Sequence, residues 1–231
     1  MELVLKTYQI SFFTNNSDVT ATPPMLSTLL GHLSGFSLLP MYAQEINPNN
    51  GEKKQMVIMT VPDQSFRVEF PQGAIFFHGT GYSCDEFLNK VEGVFRILKN
   101  IFPNKKANRL AIVNTSFYQD SQENYSQLFK KIFTHPHADP FEWENRIVER
   151  KSIDGLDEDV NCSSAVRRCF IQSQMVNNNN PIEVINFEVE TNTIGENNSL
   201  RFDFDSGIKV LRDLNVTNAK LGDDLSRYTG K

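Results

Sequence analysis

Long apolar runs, basic runs and a cysteine framework are all missing from this chain of 231 residues. No stretch approaches the roughly 18 apolar residues that a membrane-spanning helix requires. The first segment, MELVLKTYQISFF, has an acid at its second position and neither a basic region nor a small-residue cleavage site. No secretory signal is expected there, and the chain is expected to be soluble and cytoplasmic. The three cysteines, Cys84, Cys162 and Cys169, are odd in number and match no zinc or redox spacing, so they are expected to be free structural thiols. Without a signal, Asn-x-Ser/Thr triplets such as those at Asn114 and Asn161 imply no glycosylation.

Tryptophan is also scarce, at 1 against 18 phenylalanines, which reads as an AT-rich coding bias and assigns the phenylalanines to the core. A net charge of −5 argues against a surface built to neutralise many phosphates. The densest basic groups, Lys105 and Lys106 in PNKKANR and the run RIVERK from Arg146 to Lys151, are flanked by acids or turn residues. Tyr118, Tyr125 and Trp143 have no basic residues interleaved with them, so no stacking platform and no strong nucleic-acid signal is expected.

What is present is a regular alternation of elements. Val4, Tyr8, Ile10 and Phe12 alternate with Thr7, Gln9 and Ser11, the period of a strand with one buried face. Thr22 before Pro23 and Pro24 predicts a helix start, followed by Met25, Leu26, Leu29, Leu30 and Leu33 as its apolar stripe. From Phe36 to Phe77 the apolar runs are separated by turns at 48–52, 62–64 and 71–73, which predicts a meander. A helix is expected from about Cys84 to Ile101, then a strand in RLAIVNTSFY and a helix carrying Tyr125, Leu128, Phe129, Ile132 and Phe133. Strands follow at 141–148, 165–176 and 182–190, with Asn177 to Asn180 as a hairpin loop, and a long helix capped by Asp205 or Ser206 closes the chain. The expected fold is α+β: an antiparallel sheet with helices on one face, one domain over 1–231, divisible into subdomains 1–134 and 135–231.

Two motifs invite a chemical reading. FFHGTGYSCDEF lacks the third glycine of a phosphate loop, its lysine, and the second glycine of a nucleophile elbow. Ser83 with Glu86 fits a capping box instead, and Tyr82 with Phe87 a hydrophobic staple. His78 beside them has no role that the sequence reveals. In THPHADP, His135, His137 and Asp139 resemble the His-x-His-x-Asp-His signature of the metallo-β-lactamase superfamily, although Pro140 stands where the last His belongs. The bland alternative is a proline-bounded loop. IDGLDEDV lacks the ligand alternation of a calcium loop and reads as a solvated acidic turn. Arg167 and Arg168 fall within one predicted strand, so their side chains should face opposite sides.

The stretch FPQGAIFFHGTGY, the long helix after it and RLAIVNTSFYQ resemble a sporadically distributed family of uncharacterised bacterial proteins of similar length. Tyr82 and Phe87 match its helix-leading aromatics, and Arg109 with Asn114 its strand signature, although the family's Asn falls a little later. The resemblance implies an α+β fold and no assigned activity. Its sporadic distribution implies an association with mobile elements, including defence or toxin–antitoxin modules. Since each catalytic motif has a structural explanation, the sequence points to a non-catalytic protein-binding or accessory protein without cofactor, with a protein partner or homo-oligomer. The alternatives are a metal-dependent hydrolase using His135, His137 and Asp139, and a small-ligand or nucleotide sensor with its pocket between sheet and helices.

Overall fold

The computed structural model describes residues 1–46, 50–135 and 137–229. It shows the expected α+β architecture, with nine strands in one antiparallel sheet. The strands are β1 (Glu2–Phe13), β2 (Leu39–Ile46), β3 (Lys53–Thr60), β4 (Phe66–Phe70), β5 (Ile75–Thr80), β6 (Arg109–Gln119), β7 (Trp143–Lys151), β8 (Val160–Ile171) and β9 (Ile182–Thr193). The helices are α1 (Pro23–Leu33), α2 (Cys84–Ile101), α3 (Gln122–Ile132) and α4 (Phe204–Ser226). The sheet order is β2-β3-β4-β5-β1-β6-β9-β8-β7, so β1 and β6 lie in the middle and join the meander to the three late strands. A single sheet therefore runs through both 1–134 and 135–231. No helix among the described residues is long and apolar enough to cross a membrane.

One face of the sheet carries the core. Tyr8, Ile10 and Phe12 of β1 point to it and meet α2 and α4: Phe12 stacks on Phe204 at 4.8 Å, and Phe95 packs edge-on against Phe77 and Phe204, both at 5.2 Å. Burying each ring stabilises the fold by roughly 1.5–3 kcal/mol. Asn218, wholly buried on α4, fastens that helix to the sheet. Its Nδ2 donates to the carbonyls of Ile112 and Val189 at 3.3 and 3.2 Å, and its Oδ1 accepts from the Thr191 hydroxyl at 2.7 Å.

The FFHGTGYSCDEF stretch is strand, turn and capped helix. Ser83 Oγ accepts from the Glu86 amide, and the Glu86 carboxylate accepts from the Ser83 amide at 2.7 Å, which closes the capping box. Tyr82 and Phe87 meet through Phe66, which lies edge-on to both at 6.5 and 6.1 Å. Gly81 takes a left-handed φ of 80° in the turn. At Gly79 a Cβ would stand 2.4 Å from Phe87 Cδ2, so only glycine lets the helix's first buried ring lie against β5.

Several boundaries differ from expectation. Thr22 precedes α1 with extended backbone but its hydroxyl makes no capping bond, so the prolines of the first turn open that helix. The cap of α4 is Asp203, not Asp205 or Ser206: its carboxylate accepts from the Ser206 amide at 2.7 Å and Ser206 Oγ accepts from the Asp203 amide at 3.0 Å. Strand β8 begins at Val160, five residues before the predicted Ala165, because the acidic turn feeds straight into pairing with β9. Asn177, Asn178 and Asn179 all take positive φ in the β8–β9 connection, a conformation that asparagine tolerates better than most residues. Pro48 and Asn49 of the predicted first turn lie outside the described residues.

Candidate functional site

The second face of the sheet carries no helix-side core, and its composition follows from the strand registers. Paired residues share a face, and each step across the sheet covers about 4.8 Å. One transverse row reads Thr60, Arg67, His78, Gln9, Val113, Glu190, Ser163 from β3 to β8. The next reads Ile58, Glu69, Phe76, Ser11, Ala111, Asn192, Asn161, Arg150 from β3 to β7. On the other side of the first row lie Thr80, Thr7, Thr115, Glu188, Ala165 and Arg146, and beyond them Phe117, Asn186, Arg167 and Glu144. This open face is polar and arginine-bearing where the opposite face is phenylalanine.

Five of the ten arginines in the chain belong to it: Arg67, Arg109, Arg146, Arg150 and Arg167. Glutamates share the face, among them Glu69, Glu144, Glu188 and Glu190. Arg167 meets Glu144 at 2.9 Å, Arg109 lies 3.8 Å from Glu190, and Arg150 reaches Glu196 at 3.1 Å. Arg146 donates to Ser163 Oγ at 3.0 Å. Aromatic rings stand among them: Phe13 packs edge-on to Phe76 at 6.3 Å, Arg109 stacks over Phe13 at 4.9 Å, and Phe76 tilts against His78 at 6.2 Å. Phe13, Phe76 and Phe117 are each partly exposed.

Over the middle of β1 and β6 and the end of β5, this face deepens into a groove of about 650 Å³. Its floor is Thr7, Gln9, His78, Thr80 and Thr115, and its walls are two connections: Asp63 and Gln64 between β3 and β4, and Ser173 to Met175 between β8 and β9. Arg67 and Glu188 line it from opposite sides. Behind the lining, Glu69 lies 2.8 Å from Arg67 Nε and 3.5 Å from His78 Nε2. Neither contact is aligned as a hydrogen bond, and both nitrogens are withdrawn from solvent. The neighbouring His78, and after it Arg67, hold the Glu69 carboxyl below the usual carboxylate range in spite of its burial.

The residues singled out from sequence are placed elsewhere. His135, His137 and Asp139 are exposed in the loop after α3, with Asp139 accepting from Ser126 Oγ at 3.3 Å. Pro136 between the histidines lies outside the described residues. Among the described residues no three His, Cys, Asp or Glu side chains are grouped to hold a metal ion. Lys105 of PNKKANR is buried and donates to Asn15 O, Asn16 Oδ1 and Asp18 Oδ1 at 2.9, 3.1 and 2.6 Å, a structural lysine. Tyr125 and Trp143 are core residues, on the helix side. Arg167 and Arg168 do part to opposite faces: Arg168 is buried and holds Glu183 at 2.7 Å and the Pro140 carbonyl at 2.9 Å. Burial, with a smaller contribution from Asp85, pushes the Cys84 thiol up, away from nucleophilic use.

The aromatic–arginine platform was not visible as a motif because its members come from separate strands. Phe13, Phe76, Arg67 and Arg109 become neighbours only when β4, β5, β1 and β6 pair. The one sequence signal was RIVERK, whose Arg146 and Arg150 are four residues apart and so share a strand face.

No family model matches the chain, and no curated protein matches it. Among solved structures it is similar to a rolling circle replication initiator protein from Geobacillus stearothermophilus, at 15% identity and a TM-score of 0.28, over 97% of this chain and 80% of that one. This finding stands against the expectation of a non-catalytic protein-binding or accessory protein of a defence or toxin–antitoxin module, which is withdrawn. At that score the likeness supplies no positive argument, and the reading below rests on geometry.

Proposed function

We propose that the open face of the sheet binds single-stranded nucleic acid, phosphates meeting the arginines and bases stacking on the partly exposed rings. The observation that carries this reading is the gathering of Arg67, Arg109, Arg146, Arg150 and Arg167 on one sheet face among Phe13, Phe76 and Phe117. Guanidinium groups grip phosphate in bidentate fashion and also stack on bases, and an aromatic ring accepts any base face. The net charge of −5 gives no help, and Glu69, Glu144, Glu188 and Glu190 share the face with the five arginines, so phosphate binding must displace carboxylates. The exposed pairs Arg150–Glu196 and Arg167–Glu144 are worth only about 0–1 kcal/mol each, so a phosphate can take the carboxylate's place there. From Arg67 on β4 to Arg150 on β7 the face crosses six strand steps, about 29 Å at ~4.8 Å each, enough for several nucleotides.

Such a role suits the cytoplasmic placement expected from the sequence. The expected homo-oligomer also has a place in it. Edge strand β2 exposes Leu39, Met41, Tyr42 and Ile46, whereas the opposite edge, β7, exposes Ile147 and Val148 but sets Glu144, Arg146, Glu149, Arg150 and Lys151 around them. Pairing of β2 with its counterpart in a second copy would continue the sheet. Sedimentation tests this: a dimer that Met41→Lys dissociates supports it, and a wild-type monomer at all concentrations refutes it.

Binding is tested by fluorescence anisotropy with labelled 20-nucleotide single strands. The double variant Arg146→Glu/Arg150→Glu should weaken affinity at least tenfold and flatten its salt dependence, which scales at about −0.7 per neutralised phosphate on single strands. Absence of binding at low salt, or an unchanged double variant, would sink the proposal.

A further inference from the structure

Two residues of the groove lining, with a third behind them, have a combined chemistry that exceeds binding. Arg67 and His78 are directly paired across β4 and β5, and both line the groove. Glu69, two residues from Arg67 on the same face, stands behind them at 3.5 Å from His78 Nε2. The Glu69 carboxylate thus lies beside Nε2 without a hydrogen bond to it, and Nδ1 has no hydrogen-bond partner among the described residues. The outer guanidinium nitrogens of Arg67 are likewise unbonded there. A base, a carboxylate whose charge faces it and a cation thus share one site, in an arrangement that places a proton acceptor beside a phosphate-binding group. The charged groups around His78 are Arg67 and Glu69 from its neighbouring strand, Asp63 from the β3–β4 turn and Glu188 across the groove.

Resting on the single-strand reading above, we infer that this groove cleaves RNA by intramolecular transesterification, with His78 and Arg67 as catalytic residues and Glu69 as a positioning residue. His78 takes the proton of a ribose 2′-hydroxyl as that oxygen attacks the adjacent phosphorus. A P–O2′ bond forms and the P–O5′ bond breaks. The electron pair leaves with the 5′ oxygen, which takes a proton from water on the far side while the His78 imidazolium gives its own back to solvent. The products are a 2′,3′-cyclic phosphate and a 5′-hydroxyl, and neither oxidant, reductant nor water is consumed. Arg67 carries the extra negative charge that develops on the phosphoryl oxygens. The low-lying ionisation of Glu69 suits its part, since it stays a carboxylate and can stabilise the imidazolium. Gln9, paired with His78 on β1 and donating to Ser11 Oγ at 3.2 Å, completes the polar floor.

The test uses the full chain with two labelled strands of the same sequence, one RNA and one DNA. RNA should be cut to fragments ending in 2′,3′-cyclic phosphate, identified by mass, while DNA is bound intact. His78→Gln should cut at least about 100-fold more slowly, in line with the loss of a general base, and keep its melting temperature. Glu69→Gln should lower kcat with KM unchanged. RNA that is bound but intact overturns this inference and leaves the binding reading standing. Failure to bind either strand overturns both. Cutting at an undiminished rate by a folded His78→Gln, or scission of the DNA strand, also overturns it.

Discussion

Gly79→Ala probes the packing that holds the groove strand against the helix layer. A Cβ at this position would lie 2.4 Å from Phe87 Cδ2 and 2.7 Å from Cε2, well inside contact distance. Phe87 cannot easily yield, since it is wholly buried, stacked on Tyr8 at 5.5 Å and edge-on to Phe66 at 6.1 Å. Overpacking of this kind costs about 1–3 kcal/mol. The alanine returns about 0.4–1 kcal/mol by restricting the unfolded chain. A net loss of about 1–2 kcal/mol corresponds to a fall in Tm of roughly 2–8 °C for a chain of this size. Differential scanning calorimetry of wild type, Gly79→Ala, Phe87→Leu and the double variant measures it. Because leucine vacates the space the methyl needs, the alanine should cost less in the Phe87→Leu background, with a coupling of about 1 kcal/mol. A Gly79→Ala protein as stable as wild type, or strictly additive variants, would refute the reasoning.

Two further outcomes are expected. Asn218→Ala leaves the Thr191 hydroxyl and the carbonyls of Ile112 and Val189 without their side-chain partner in a buried interface; denaturant titration should show a loss of about 2–3 kcal/mol, and a loss below about 0.5 kcal/mol would contradict the role given to it. Glu69 has a folded pKa below its unfolded value, so its ionisation contributes stability above about pH 4.5 that is lost as pH falls through the lower folded value. The difference in Tm between wild type and Glu69→Gln should hold from pH 7 to 5 and close below 4.5, whereas a gap that widens in acid would reverse the sign.

What could be read from sequence was whatever local chemistry determines. The capping box at Ser83 and Glu86, the alternation of β1 and the division of Arg167 from Arg168 depend on residues within a few positions of one another, and all three appear in the structure. Caps of α4 and the start of β8 were misplaced by a few residues, because Asp203, Asp205 and Ser206 are all acceptable caps and pairing with β9 extends β8 into a turn-like sequence. The open face was illegible for a different reason. Its arginines and rings are scattered from Phe13 to Arg167 in sequence and are gathered only by strand order. His78 illustrates the limit: its own strand gives it a polar face, but Arg67 and Glu69 come from the strand beside it. The THPHADP loop shows the converse, a compact sequence pattern whose side chains stand exposed on the surface.

The central claim is that nucleic acid lies on the open face of the sheet. Photo-crosslinking with a single strand carrying halogenated uracil, followed by mass spectrometry of the linked peptides, tests it most directly. Crosslinks should fall on Phe13, Phe76, Phe117 or His78 and vanish in the Arg146→Glu/Arg150→Glu variant. Crosslinks confined to the helix side, at α1 or α4, would contradict the account.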